Sequence, residues 1–178
     1  MKIAIISDIH NNEVNLKKVL DYCKGNKIET IICCGDLANK ETLDFLADNF
    51  SGTVHYTFGN MDEGQMKDFT IGDPVKSLRS HGASNYKNIK IYKDYGKIEV
   101  ENKKLAFVHF PEIAKELCEM NKYDFVFYGH THKPWVEKIN NCTLLNPGNV
   151  AGEIFPPTFA ILDLENSKYE LIKIHDLK

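Results

Sequence analysis

Near the middle of the chain an apolar run, Phe125-Val126-Phe127-Tyr128, ends in Gly129-His130-Thr131-His132. In an extended segment residues i and i+2 point the same way, so both imidazoles can reach one site, and neutral imidazoles in pairs suit a transition metal. A lone His-x-His also turns up on surface strands, so the argument turns on what else the chain supplies. It supplies a good deal. Apolar runs elsewhere end in Asp8-Ile9-His10, in Gly35-Asp36, in Gly59-Asn60-Met61-Asp62 and in His109. Two carboxylates, four imidazoles and one amide oxygen (Asp8, His10, Asp36, Asn60, His109, His130, His132) are thus offered at strand ends. A catalytic zinc keeps only about three protein ligands. The set suits two cations about 3.5–4 Å apart, where a carboxylate can bridge and a shared water loses its proton near neutral pH.

The elements that must position these groups follow from periodicity. Residues 2–7 form a continuous apolar run of the kind buried on both faces in an α/β layer. A helix follows from Glu13, with Val14, Leu16, Val19, Leu20 and Cys23 at helical spacing and Gly25-Asn26 as its stop. Residues 30–34 make a second strand, 40–50 a helix bearing Leu43, Leu46, Ala47 and Phe50, and 53–58 a third strand. This βαβα order predicts parallel strands with right-handed crossovers, and ligands in such sheets bind beyond the carboxyl ends of the strands. Residues 64–88 predict a short helix and a loop, either a lid over the site or a plain surface connection. From residue 89 the pattern changes to short strands at 89–92, 97–101 and 105–109, with a hairpin turn at Asn102-Lys103, which predicts a second or mixed sheet. A helix opens at Phe110-Pro111 and carries Ile113, Ala114, Leu117 and Met120. Strands at 135–139 and 143–145, a turn at Asn146-Pro147-Gly148-Asn149, and a closing antiparallel pair at 159–164 and 169–174 complete the chain.

Bulk properties narrow the function. With 178 residues, 43% of them hydrophobic, the chain has material for one domain over residues 1–178 with a true core. A net charge of −3 and lysines scattered without a basic run give no nucleic-acid footprint. No segment approaches the roughly 18 apolar residues of a membrane span, and the first apolar run is broken by Asp8 too early for a signal peptide, so a cytoplasmic protein is expected. Its five cysteines lie in apolar periodic segments without C-x-x-C spacing and are expected to be buried free thiols.

Taken together, Asp8-x-His10, Gly35-Asp36, Gly59-Asn60, the isolated His109 and Gly129-His130-x-His132 resemble the five-motif signature of the calcineurin-like metallophosphoesterases. The resemblance runs from residue 3 to about residue 150, and the length is similar to that of the short single-domain phosphodiesterase branch. It implies an α/β fold, a four-layer αββα sandwich of two mixed sheets flanked by helices, with a binuclear metal centre at the strand ends. By that analogy Asp8, His10 and His132 hold a first divalent ion, Asn60, His109 and His130 a second, and Asp36 bridges them. Manganese is favoured over nickel, iron or zinc. The implied reaction on a small phosphoester substrate is attack by a metal-bridging hydroxide in line with the leaving group, with Asp36, Asn60 and His109 as the catalytic residues. The residues fit those roles. Asp36, alone on its loop, is free to bridge, and the neutral Asn60 limits negative charge where a phosphate must enter. Gly35, Gly59 and Gly129 each precede a ligand, where a chain leaving a strand turns sharply.

Departures from the family pattern matter as much. Most dimetal relatives carry His after the Gly-Asn pair, placed to protonate the leaving alkoxide; here Met61 stands there, and a thioether has no proton to give. His55 and His81 are the candidates for a substitute acid, though His55 on its strand face reads first as a packed histidine, and Asp62 is either an acceptor behind a ligand histidine or a turn residue. Asn149 stands where relatives often have Ser, which leaves substrate contacts at that turn open. A phosphodiesterase is favoured over a phosphomonoesterase because no Arg is placed to help bind a dianion. The rival reading is a protein-interaction scaffold, since the fold also resembles that of the retromer subunit. Relatives of this size imply a homodimer by analogy.

Overall fold

The computed structural model describes residues 1–62 and 84–177. Of the short helix and loop expected over residues 64–88, the part up to residue 83, with Arg79 and His81, lies outside the described residues, and Ser84–Tyr86 form a strand instead of loop.

Among the described residues twelve strands form two sheets. The first half lays down β1 (Lys2–Ile6), α1 (Glu13–Gly25), β2 (Thr30–Cys33), α2 (Lys40–Asn49) and β3 (Thr53–Thr57). The edge strand β4 (Ser84–Tyr86) and its neighbour β5 (Ile89–Tyr92) follow. Next come β6 (Gly96–Val100), β7 (Lys103–Phe107), α3 (Pro111–Glu119), β8 (Phe125–Phe127), β9 (Trp135–Ile139), β10 (Cys142–Asn146), β11 (Thr158–Asp163) and β12 (Lys168–Lys173). The larger sheet has the order β12-β11-β1-β2-β3-β5-β4 and the smaller β6-β7-β8-β10-β9. In each, parallel strands occupy the middle (β1-β2-β3-β5 and β7-β8-β10) and antiparallel strands the edges. The smaller sheet is mixed, as expected: the hairpin turn pairs β6 with β7 antiparallel, and α3 carries the chain across so that β7 and β8 are parallel.

Strand alternation explains the layering. On β1, Ala4 and Ile6 face α1 and α2, where they meet Leu16, Val19, Leu20, Leu43 and Leu46. Ile3 and Ile5 face the other way and pack with Leu105, Phe107, Phe125 and Phe127 between the sheets. The outer face of the smaller sheet, with Ala106, Val108, Val126 and Leu144, closes on Ala114 and Leu117 of α3. Three apolar interfaces make four layers, the αββα sandwich expected from sequence. Each fully buried Ile or Leu is worth about 1.5–3 kcal/mol of burial. Asn12 and Asn39 start α1 and α2 by accepting the backbone N–H of Asn15 (3.0 Å) and Thr42 (2.9 Å). Val14, Ile113 and Met120 share the apolar spacing of their helices yet are exposed, because each sits at the margin of its stripe.

The cysteines depart from expectation. Cys23, Cys33 and Cys34 are free and buried, but Cys118 of α3 is joined to Cys142 of β10 by a disulfide. Periodicity marks both as buried; only the packing of α3 on β10 makes them partners. Cysteine usage therefore does not mark a reducing compartment. Among the described residues no helix is long and apolar enough to cross a membrane.

Candidate metal centre

The carboxyl ends of β1, β2, β3, β7 and β8 meet on one rim, and the loops leaving them are stitched together by backbone hydrogen bonds. Asp8 N–H donates to Gly35 O (3.1 Å), and the N–H groups of Ile9 and His10 both donate to Asp36 O (2.9 and 3.0 Å). Across the sandwich Gly129 N–H donates to His109 O (3.1 Å). These loops turn so tightly that Asp8, His10, Asp36, His130 and His132 adopt φ between 45° and 66°. For a non-glycine residue that region costs about 1–2 kcal/mol. Such strain collects where a site over-determines the backbone.

The three glycines serve the rim in two ways. Only Gly35 needs a left-handed backbone (φ 104°). Gly59 and Gly129 are required for space: a Cβ at Gly59 would lie 2.1 Å from Asp36 Oδ1, and one at Gly129 would lie 1.9 Å from Ser7 Oγ. The turn argument from sequence thus holds at one position, and close approach governs the other two.

All seven predicted residues are brought to the rim. Asp8, His10 and His132 offer donor atoms within 4.8 Å of one another, and so do Asp8, Asp36 and His109. Asn60 Oδ1 lies 3.0 Å from His109 Nε2 and 2.9 Å from His130 Nδ1, joining the remaining two members. Asp36 Oδ2 sits between the two groups, 3.6 Å from His10 Nε2 and 3.3 Å from His109 Nε2, while its Oδ1 accepts the Met61 N–H (2.8 Å). Asp8 Oδ1 lies 3.4 Å from His132 Nε2 and accepts the backbone N–H of His130 (3.1 Å). Asp8, Asp36, His109 and His132 are buried; Asn60, Met61 and His130 are exposed and form the open side of the rim.

Three imidazoles have the outer nitrogen occupied and the inner one directed at the site. His109 Nδ1 faces the carbonyl of Cys34 (2.8 Å), which can only accept, so the ring carries its proton there and leaves Nε2 a lone pair when neutral. His132 Nδ1 likewise faces the carbonyl of Glu153 (3.3 Å). His10 Nδ1 lies 3.4 Å from the Glu153 carboxylate. Its Nε2 is buried without a hydrogen-bond partner. A buried ring nitrogen left among carboxylate oxygens, with the opposite nitrogen held from behind, fits a metal ligand.

Protonation follows the same field. The carboxylates of Asp36 and Asp8 raise His10 to about 10, against the opposing effect of burial. Burial pulls the Asp36 carboxyl up, but His10 and His109 beside it prevail and hold it well below the usual range. Burial opposes charge on His109 too, yet Asp36 leaves it raised. The centre concentrates negative charge and demands cations.

The residues that hold these groups in place were only partly legible in the sequence. Asp62, left between two roles, is a turn residue: its buried carboxylate accepts the N–H groups of Asp36 and Gly59 (both 2.7 Å) and of Ala38 (2.8 Å). Its place two residues after Asn60, in a turn the chain must close, is the signal that pointed to it. Asn149 is fully buried and contacts no open space; its side chain donates to His132 O and Phe155 O and accepts from Gly152 and Glu153 N–H. Glu153, in a stretch with no motif, carried no signal. His55 is removed from the rim: its ring lies buried between the sheets with Nδ1 3.0 Å from the Tyr92 hydroxyl, so it is no substitute acid.

Comparison with known proteins agrees with this geometry. The model of the calcineurin-like phosphoesterase superfamily domain matches residues 1–167. The chain is 29% identical over 175 residues to phosphodiesterase MJ0936 of Methanocaldococcus jannaschii, covering 97% of this chain and 98% of the relative. A solved archaeal phosphodiesterase shares the fold with a TM-score of 0.80 at 27% identity, over 97% of this chain and 99% of that one. Zinc-complexed Vps29 from Entamoeba histolytica shares it at a TM-score of 0.65 and 21% identity, over 98% and 99% of the two chains. With its model spanning nearly the whole sequence and its fold shared from end to end, the chain belongs to the calcineurin-like phosphoesterase superfamily.

Proposed function

We propose that the chain acts as a single metallophosphoesterase domain over residues 1–178 that hydrolyses phosphodiesters with two divalent ions. The observation that carries this is Asp36 Oδ2, lying between His10 Nε2 (3.6 Å) and His109 Nε2 (3.3 Å), at the junction of two donor clusters that share Asp8. Asp8, His10 and His132 would hold the first ion and Asn60, His109 and His130 the second, with Asp36 placed to be shared between them. Mixed imidazole and carboxylate donors suit manganese, iron, nickel or zinc, and manganese is favoured. Two such ions supply Lewis-acid charge to phosphate oxygens and lower the pKa of the attacking water.

The chain's own groups set what is accepted. Asn60 and His130, both exposed, bring no negative charge to the side from which a phosphate enters. Met61 beside them is half exposed and carries no proton for a leaving group. Esters with good leaving groups, such as activated aryl diesters, are therefore turned over faster than alkyl esters. A diester is favoured over a monoester, whose dianion gains more from an added cationic group beside the metals. The relative named phosphodiesterase supports the same choice.

The test is a panel of aryl and alkyl mono- and diesters with metal-stripped protein given Mn²⁺, Ni²⁺, Fe²⁺, Zn²⁺ or Mg²⁺ in turn. Diesterase activity that returns with metal and falls at least about a hundredfold in Asp36→Asn is expected. Two bound ions per chain with no hydrolysis of any ester, and an Asp36→Asn change that alters only partner binding, would replace the enzyme by an interaction scaffold.

A further inference from the structure

The loop between β10 and β11 carries a residue with no part in the seven-member set that nonetheless touches it twice. Glu153 reaches His10 with its carboxylate (Oε2 to Nδ1, 3.4 Å) and His132 with its backbone carbonyl (to Nδ1, 3.3 Å). We propose that Glu153 is a positioning residue for the ion held by Asp8, His10 and His132, setting its affinity separately from that of the second ion. This rests on the dimetal reading above.

The loop is built to present Glu153. Asn149, fully buried, accepts the Gly152 and Glu153 N–H groups (2.5 and 3.0 Å) and donates to His132 O (3.1 Å) and Phe155 O (3.2 Å), so one amide ties the loop to the His130–His132 turn. Val150 and Ala151 N–H donate to the carbonyls of Ser7 and Asp8 (both 3.0 Å), which fastens the same loop to the turn that bears His10. From the other side Asn12 and Asn15 donate to the carbonyls of Ala151 and Val150 (both 2.8 Å). Gly152 and Ile154, flanking Glu153, both take positive φ (81° and 65°), so the chain kinks on either side of it.

The two contacts do different work. A carbonyl oxygen can only accept, so the backbone of residue 153 keeps the His132 proton on Nδ1 whatever its side chain. The carboxylate stands at ion-pair distance from His10 Nδ1 (3.4 Å) and, being anionic, makes that imidazole a stronger donor to a cation at Nε2. No equivalent carboxylate stands behind His109, whose Nδ1 is held by the Cys34 carbonyl (2.8 Å). Removing the Glu153 side chain therefore weakens one ion and spares the other. The side chain is more than half exposed, so its loss leaves the fold intact.

The test uses the whole metal-stripped chain, titrated calorimetrically with Mn²⁺ and followed by the Mn²⁺ spin-resonance signal. Wild type should bind two ions; Glu153→Ala should bind one of them about 10–100-fold more weakly, with the other and the unfolding midpoint unchanged. Glu153→Gln, which keeps an oxygen acceptor, should fall between. In the zinc-loaded protein the slowly exchanging Nδ1 proton of His10 should be seen by NMR in wild type and lost in Glu153→Ala. If wild type binds fewer than two ions, the dimetal reading fails and the inference with it. If wild type binds two, and Glu153→Ala binds both as wild type does or loses both equally, the dimetal reading stands and the role of Glu153 is refuted.

Discussion

Asp62 holds two ligand loops with one carboxylate, and Asp62→Asn measures how much of the centre depends on it. Oδ2 accepts the N–H groups of Asp36 and Gly59, and Oδ1 that of Ala38. An asparagine can keep the first pair only by turning its NH₂ toward Ala38, leaving a buried donor facing a donor at about 1–3 kcal/mol. The two bonds it keeps fall from charge-assisted, about 1.5–3 kcal/mol each, to neutral, about 0.5–1.5. Part of that loss is returned, because burial disfavours the charged carboxyl and lifts its pKa, a penalty the amide does not carry. The net expectation is about 2–4 kcal/mol of lost stability, read by urea unfolding of chelator-treated protein. The same oxygen fixes the backbone of Asp36 and of the residue before Asn60, so Mn²⁺ affinity should fall about 10–100-fold with no ligand touched. An Asp62→Asn protein within about 0.5 kcal/mol of wild type, with both ions bound normally, refutes the claim that this carboxylate organises the rim.

Two further outcomes follow from single residues. Met61→His puts a proton donor on the open side of the rim and should raise turnover of alkyl diesters at least about tenfold while leaving aryl diesters near the wild-type rate; an equal gain on both, or none on alkyl esters, removes Met61 as the reason for the preference. His55 is held neutral by burial, with Lys90 adding to the effect, and its pKa drops to about 4. The unfolded ring near 6.5 takes a proton that the folded one refuses, so its contribution is complete above about pH 6.5 and is lost as pH falls toward 4. Discounted for partial solvent access, that is about 2 kcal/mol. In His55→Gln, which keeps a partner for the Tyr92 hydroxyl, urea unfolding between pH 7 and 4 should show a loss smaller by that amount; an unchanged pH dependence would mean that the ring titrates normally.

How much of this was legible depended on whether a residue's role is local in sequence. The αββα layering came with the family resemblance; the residues by themselves marked β1 as buried on both faces and, by helical spacing, Leu16, Val19 and Leu20 as buried. The seven rim groups were legible, since each directly follows an apolar strand, and strand ends in such sheets converge. The Cys118–Cys142 bond was not, because burial can be read from periodicity but the pairing of a helix with a strand cannot. The parallel pairing of β8 with β10 was not legible either, because β9, between them in sequence, pairs on the far side of β10.

The supporting groups show a sharper limit. Asn149 and Glu153 act through contacts 17 and 21 residues away on His132, and Asp62 through one 26 residues away on Asp36. A metal ligand announces itself by type and by the strand it ends, but a residue that holds a ligand from behind can be any acceptor on any loop that happens to pass. Asn149 illustrates the consequence. Read as a departure from a family serine, it suggested an altered substrate contact; placed in the fold, it is buried and fixes the loop that carries Glu153 behind His10 and His132. A substitution at residue 149 would thus disturb the His10 and His132 side of the rim before it reached any substrate. Serine at 149 can replace at most part of what the amide does, since it lacks the two N–H donors that reach His132 O and Phe155 O.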